Sequence, residues 1–190
     1  MKKIFALLLV LAMLLCLVAC GDEAESLPKD GTSGSEENND PVVSAETYDT
    51  GSFSVLVPAG WKAIPVTDIW AEEEGVLDPT ALNICKGGET DWDLFSKPYV
   101  RIDYYGEDTT MGKPDKEWYD DGVDLEPFTT GSYEWTGFSA TTLGIPIIVL
   151  WTEDGVHQYQ ITVYTDQDEG KISITDADVQ AILESIALSN

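Results

Sequence analysis

The sequence predicts an α+β domain: an antiparallel meander sheet of about six or seven strands packed with helices, ending in an amphipathic helix. Three observations lead there. Tyr99 to Tyr105 and Tyr159 to Val163 alternate apolar and polar side chains with the period of a strand. Thr152-Glu153-Asp154-Gly155 separates two apolar runs at hairpin spacing. Val179, Ile182, Leu183 and Ile186 fall at i, i+3, i+4 and i+7, the stripe of a helix lying on something apolar.

In chain order, Phe53, Val55 and Val57 alternate with Ser52 and Ser54 as a half-buried strand, and Pro58-Ala59-Gly60 turns it. Trp61 to Ile64 returns until Pro65 interrupts the ladder. Thr67 to Glu74 is expected to form a short helix capped by Thr67 and stopped by Gly75. Leu82 to Lys86 reads as a strand and Gly87 to Pro98 as a loop. In the next strand Val100, Ile102 and Tyr104 share one face, leaving Tyr99, Arg101, Asp103 and Tyr105 on a wet side. A short helix is expected around Asp115 to Tyr119. Val123 to Thr130 and Tyr133 to Thr142 should then pair across Gly131-Ser132. Pro146 to Trp151 is continuously apolar and belongs at the sheet centre. The hairpin strand to Tyr164 follows, then the final helix, with Thr175 as cap and Asp176 and Asp178 in its first turn.

The amino terminus has a separate logic. Lys2 and Lys3 precede an apolar run from Ile4 to Ala19, 16 residues against the ~20 of a spanning helix, and a small residue sits at its end. Leu17-Val18-Ala19-Cys20 resembles the lipobox of bacterial lipoproteins. That resemblance implies cleavage before Cys20 and a diacylglyceryl group on its sulfur. The expected organisation is a signal peptide over residues 1–19, a lipidated cysteine with a flexible acidic linker over 20–46, and one globular domain over 47–190. Gly21 to Glu46 is poor in large apolar residues and cannot offset its ordering entropy. As a coil it spans on the order of 30 Å.

Charge excludes several roles. The 190-residue chain carries 10 basic and 35 acidic residues, a formal charge of −25. Nucleic acid is not an expected partner, since a polyanion needs clustered lysine and arginine, and Arg101 is the sole arginine. Anionic headgroups repel such a domain, so membrane contact is expected through the Cys20 lipid. With Cys16 in the leader and Cys20 lipidated, Cys85 is left without an intramolecular partner. It reads as a small buried residue.

Phe53-Ser-Val-Leu-Val-Pro-Ala-Gly-Trp61, the hairpin from Ile147 to Tyr164 and Val179-Gln-Ala-Ile-Leu-Glu-Ser-Ile-Ala-Leu188 together resemble the PsbP-like fold family, across most of Tyr48 to Leu188. The family includes an extrinsic photosystem subunit, a eukaryotic Ran-binding relative and many Gram-positive lipoproteins. The resemblance implies an antiparallel sheet between helices and a binding or assembly role. It transfers no catalytic residue.

Few residues offer chemistry. His157 is the only histidine, no Gly-x-Ser-x-Gly stretch occurs, and a closed zinc site lacks its ligands. His157 is expected at a strand end with its ring packed at the rim. Two acidic clusters, Asp120, Asp121 and Asp124 and then Asp166 and Asp168, fall in expected turns and have the oxygen-rich character of weak calcium sites, without the twelve-residue loop pattern. Among the six tryptophans, Trp61 and Trp151 sit in strand contexts and read as core. Trp92 and Trp118, with Tyr119, are the candidates for partner contact. No cofactor is expected. The resulting expectation is a non-enzymatic lipoprotein on the outer face of a plasma membrane, binding or assembling with an envelope protein or wall component. A solute or calcium binder and a wall-active hydrolase using paired carboxylates are the alternatives.

Overall fold

The computed structural model describes residues 44–106 and 112–189. The expected leader, Cys20 and nearly all of the expected linker lie outside the described residues. The domain begins with β1 (Glu46–Asp49) and β2 (Phe53–Val57), followed by β3 (Trp61–Thr67), β4 (Leu77–Lys86) and β5 (Tyr99–Tyr105). Then come β6 (Asp120–Asp124), β7 (Phe128–Thr130), β8 (Tyr133–Thr142), β9 (Ile145–Glu153) and β10 (Gln158–Tyr164). A small hairpin of β11 (Asp166–Gln167) and β12 (Gly170–Lys171), helix α1 (Ala177–Ser185) and β13 (Ala187–Leu188) complete it.

The expectation of an α+β domain packed with several helices is corrected: the fold is mostly β. Among the described residues α1, with nine residues, is the one α-helix, beside two short 3-10 turns at Asp91–Phe95 and Lys116–Trp118. The large sheet runs β3-β4-β5-β10-β9-β8-β6, with β7 also on β8, and β1-β2-β13 form a second sheet. Every pairing is antiparallel.

Local chemistry explains the lost helices. Thr67 ends β3, and Asp68 turns the chain by accepting the Trp70 amide on its carboxylate (2.8 Å), while the Asp68 amide donates to Val76 O (2.8 Å). The glutamates that oppose a helix dipole therefore sit in a turn, and β4 starts at Leu77, earlier than its apolar run suggests. Near Asp115 the side chain accepts the Glu117 amide (2.9 Å), which supports one 3-10 turn. The strand expected over Val123 to Thr130 splits in two: β7 makes the tight hairpin with β8, and β6 pairs farther along it after a bulge. Helix α1 is capped at Asp176, one residue later than expected.

The helix stripe lands as the periodicity requires, with Val179, Ile182, Leu183 and Ile186 all buried. A nine-residue helix is too short to persist alone, so it is held by burying four aliphatic side chains at about 1.5–3 kcal/mol each. Its neighbours are Phe53, Val55 and Val57 from β2 and, across one face of the large sheet, Leu82, Ile84, Val100, Ile102, Leu150, Ile161 and Val163. Polar bonds fix its register: Leu56 N donates to Ser185 Oγ (2.8 Å) and Trp61 Nε1 to Asp178 Oδ2 (3.1 Å). Strand β9 lies inside the sheet between β10 and β8, as its apolar run predicts.

The opposite face carries a smaller cluster of Phe138, Ala140, Ile147 and Val149, against which Tyr119, Trp151 and Tyr164 pack half-buried. Trp151 is therefore a partly covered face residue instead of core. The sheet ends at β3, interrupted by Pro65, and at β6, with its three aspartates and a left-handed Asp121 (φ 53°). Among the described residues no helix is long and apolar enough to cross a membrane.

Candidate functional site

Strand register gathers several loops at one end of the large sheet. Thr142 faces Ile145, Ile147 faces Tyr164, Tyr164 faces Tyr99, and Tyr99 faces Cys85. The β8–β9 turn, the 3-10 turn at Asp91–Phe95 and the β11–β12 hairpin therefore share this end. Ser44 and Glu46 lie at this end too, since Glu46 faces Val57 and Ser44 lines one depression with Gly87, Gly88 and Glu89.

The 3-10 turn is built from the inside by one carboxylate. Asp93 accepts the Glu89 amide (3.0 Å), the Thr90 amide (2.9 Å) and Lys97 Nζ (2.8 Å). These bonds, led by the lysine, hold the Asp93 carboxyl well below the usual carboxylate range. Lys97 also donates to Gly87 O (2.8 Å). The hairpin is tied on by Glu169 N to Ser96 O (2.8 Å) and Gln167 Nε2 to Leu94 O (3.3 Å). With polar groups consumed inside, the apolar ones face out. Trp92 and Phe95 are each 76% exposed, their ring centroids 5.9 Å apart. A groove of about 590 Å³ separates Phe95 from Gly144 of the β8–β9 turn, at whose tip Leu143 is 97% exposed. Its φ of 50° is one that glycine or asparagine adopts readily and leucine does not.

The groove is lined by Phe95, Gly144, Ile145, Pro146, Asp166, Gln167, Asp168 and Lys171. It thus brings together two predictions made separately: Trp92, through its partner Phe95, and the acidic pair Asp166 and Asp168. Asp166 is ion-paired with Lys171. Beyond Pro146 a second depression of about 430 Å³ is lined by Asp121, Ser139, Thr141 and Thr165, among others.

The other predicted residues lie along the β6 edge. Trp118 is 71% exposed, whereas Tyr119 is half-buried with its ring 5.4 Å from Phe138 and serves packing. Asp120, Asp121 and Asp124 are in strand β6 instead of a turn, and Asp124 is bound by Lys116. Asp166 and Asp168 belong to a two-stranded hairpin. Among the described residues no group of three or more His, Cys, Asp or Glu side chains is arranged to hold a metal ion.

His157 does sit at a strand end, its Nδ1 2.6 Å from Tyr104 Oη and its ring stacked on that tyrosine. Its amide donates to Asp154 Oδ1 (2.7 Å), which helps hold that carboxyl low. Cys85 is fully buried, and burial, with Asp93 nearby, pushes its thiol up to about 11.

Sequence reasoning missed Phe95, Leu143 and the exposed pair Ile69 and Trp70 of the β3–β4 loop. Leu143 had a legible signal: a Leu-Gly dipeptide where a tight hairpin prefers Asn-Gly. Phe95 had none, because loop position does not disclose exposure. No family model matches the chain, and no curated protein matches it.

Proposed function

We propose that the protein is an extracytoplasmic lipoprotein, held through a lipid on Cys20 at the outer face of the plasma membrane, whose acidic domain is a non-catalytic binding or assembly module. The anchor reading rests on Lys2, Lys3, the apolar run to Ala19 and Leu17-Val18-Ala19-Cys20. The binding reading rests on one observation: Trp92, Phe95 and Leu143 project from one end of the sheet with most of their surface in water. Covering each on a partner contributes about 1.5–3 kcal/mol before ordering costs. The partner is an envelope protein or a wall component.

Two measurements test the two halves. Cys20→Ser should abolish incorporation of labelled fatty acid and release the protein from membranes; continued attachment contradicts the anchor. Isolated envelope stripped of the protein should retain added unlipidated protein (residues 20–190 with Cys20→Ser), and Phe95→Ala with Trp92→Ala in that protein should reduce the retention at least ~10-fold, the cost of losing interface anchors. Undiminished retention by the double variant rejects this surface.

A further inference from the structure

Exposed carboxylates predominate around the rim. Glu89, Asp91, Asp168 and Glu169 are exposed, and none takes part in the ion pairs found among the described residues. Two nearby cations are already engaged, Lys97 with Asp93 and Lys171 with Asp166, while the exposed Lys62 lines the neighbouring depression with Glu89. Five of the seven described lysine and arginine side chains are bound to carboxylates in this way. A sixth, Lys86, lies over the Trp61 ring, 5.6 Å from its centroid. The rim therefore offers exposed aromatic side chains, an apolar tip and an excess of carboxylates that take part in no ion pair among the described residues.

We infer that this rim docks a lysine- or arginine-bearing segment of a protein partner. The inference rests on the binding-module reading and adds the partner's chemistry. Cationic heads are drawn to the carboxylates around the groove, and their methylene stems lie on Trp92 and Phe95, where a cation over an aromatic face is further favoured. Leu143 takes an apolar residue of the same segment. Charge complementarity selects this occupant over others. A second copy of this chain brings the same negative field, and anionic headgroups or nucleic acid are repelled by it.

The test uses the unlipidated protein, residues 20–190 with Cys20→Ser, and a short fluorescein-labelled peptide repeating Lys-Ala-Lys-Leu, followed by fluorescence anisotropy. A peptide repeating Glu-Ala-Glu-Leu and neutral phosphatidylcholine vesicles serve as the other arms. The lysine peptide should bind and the glutamate peptide should not. Phe95→Ala and Leu143→Asn should each weaken binding about 10-fold, and Asp168→Asn should weaken it and flatten its salt dependence. Trp70→Ala, which alters an equally exposed tryptophan in another loop, should leave binding unchanged.

Equal loss with Trp70→Ala, or no loss with Leu143→Asn and Phe95→Ala, means diffuse attraction to an acidic protein and overturns the inference. Vesicle binding that depends on Phe95 assigns the rim to a lipid surface and also overturns it. Envelope retention that needs Phe95 but resists competition by the lysine peptide keeps the binding module and removes the cationic partner.

Discussion

Replacing Leu143 with asparagine should stabilise the domain, although it deletes a large apolar side chain. Leucine at φ 50° carries most of the ~1–2 kcal/mol that a Cβ costs in the left-handed region, whereas asparagine tolerates that region. In the other direction almost nothing is lost, because a side chain 97% exposed has little burial to give up. The balance is a gain of about 1 kcal/mol. In a domain of this size that raises Tm by roughly 2–4 °C. Thermal unfolding followed by circular dichroism checks this, with Leu143→Ala as comparator. Alanine keeps the Cβ and should leave Tm nearly unchanged. A lower Tm for Leu143→Asn, or a clear loss for Leu143→Ala, would refute the claim that this leucine is strained and unsupported. A rise in Tm together with weaker partner binding would show that the turn holds leucine for contact and not for folding.

Three further outcomes follow from the geometry. Gly137→Ala should destabilise by about 3 kcal/mol in urea titration, because a Cβ there would lie 2.1 Å from Val149 O and force β8 from β9; a variant as stable as wild type rules out this close approach. Cys85 should resist a thiol reagent until unfolding. Its folded thiol titrates near 11 against an ordinary 9.0, so the folded state keeps its proton while the unfolded state loses it, and stability falls as pH rises from 9 towards 11; rapid native labelling at pH 8 contradicts that. Asp93, held low, contributes stability above pH 3.8 that is lost as pH falls below it. The Glu89 and Thr90 amide signals should therefore titrate well below pH 3.8 in NMR and lose protection in Asp93→Asn; a midpoint at or above 3.8 disproves the bonding scheme.

Periodicity made the sheet and the last helix readable, because burial on one face leaves a period in the sequence. The alternation at Tyr99 to Tyr105, the hairpin into Tyr164 and the stripe from Val179 to Ile186 all appear where that logic puts them. Helix content was overestimated where short polar segments can turn on themselves. Asp68 and Asp115 capture backbone amides locally, which ends each segment in a turn before a second helical turn forms. The acidic clusters were legible as composition but not as arrangement, since Asp124 and Asp166 meet lysines from Lys116 and Lys171. Trp92 was identifiable from its loop and flanking aspartates. Its pairing with Phe95, which lines a groove with Gly144 and Asp168, was not, because three separate loops meet only after the strands have set their register.

The two borders of the large sheet decide how these molecules behave when crowded. One is broken by Pro65, which has no amide hydrogen to give, and the other is a short run bearing Asp120, Asp121 and Asp124, bent where Asp121 turns left-handed. Both borders are therefore poor templates for a neighbour's strand, which disfavours edge-to-edge pairing through the large sheet when copies are pressed together. At high density that leaves its aromatic end, and not its strand borders, as the part of this sheet best suited to meeting other molecules.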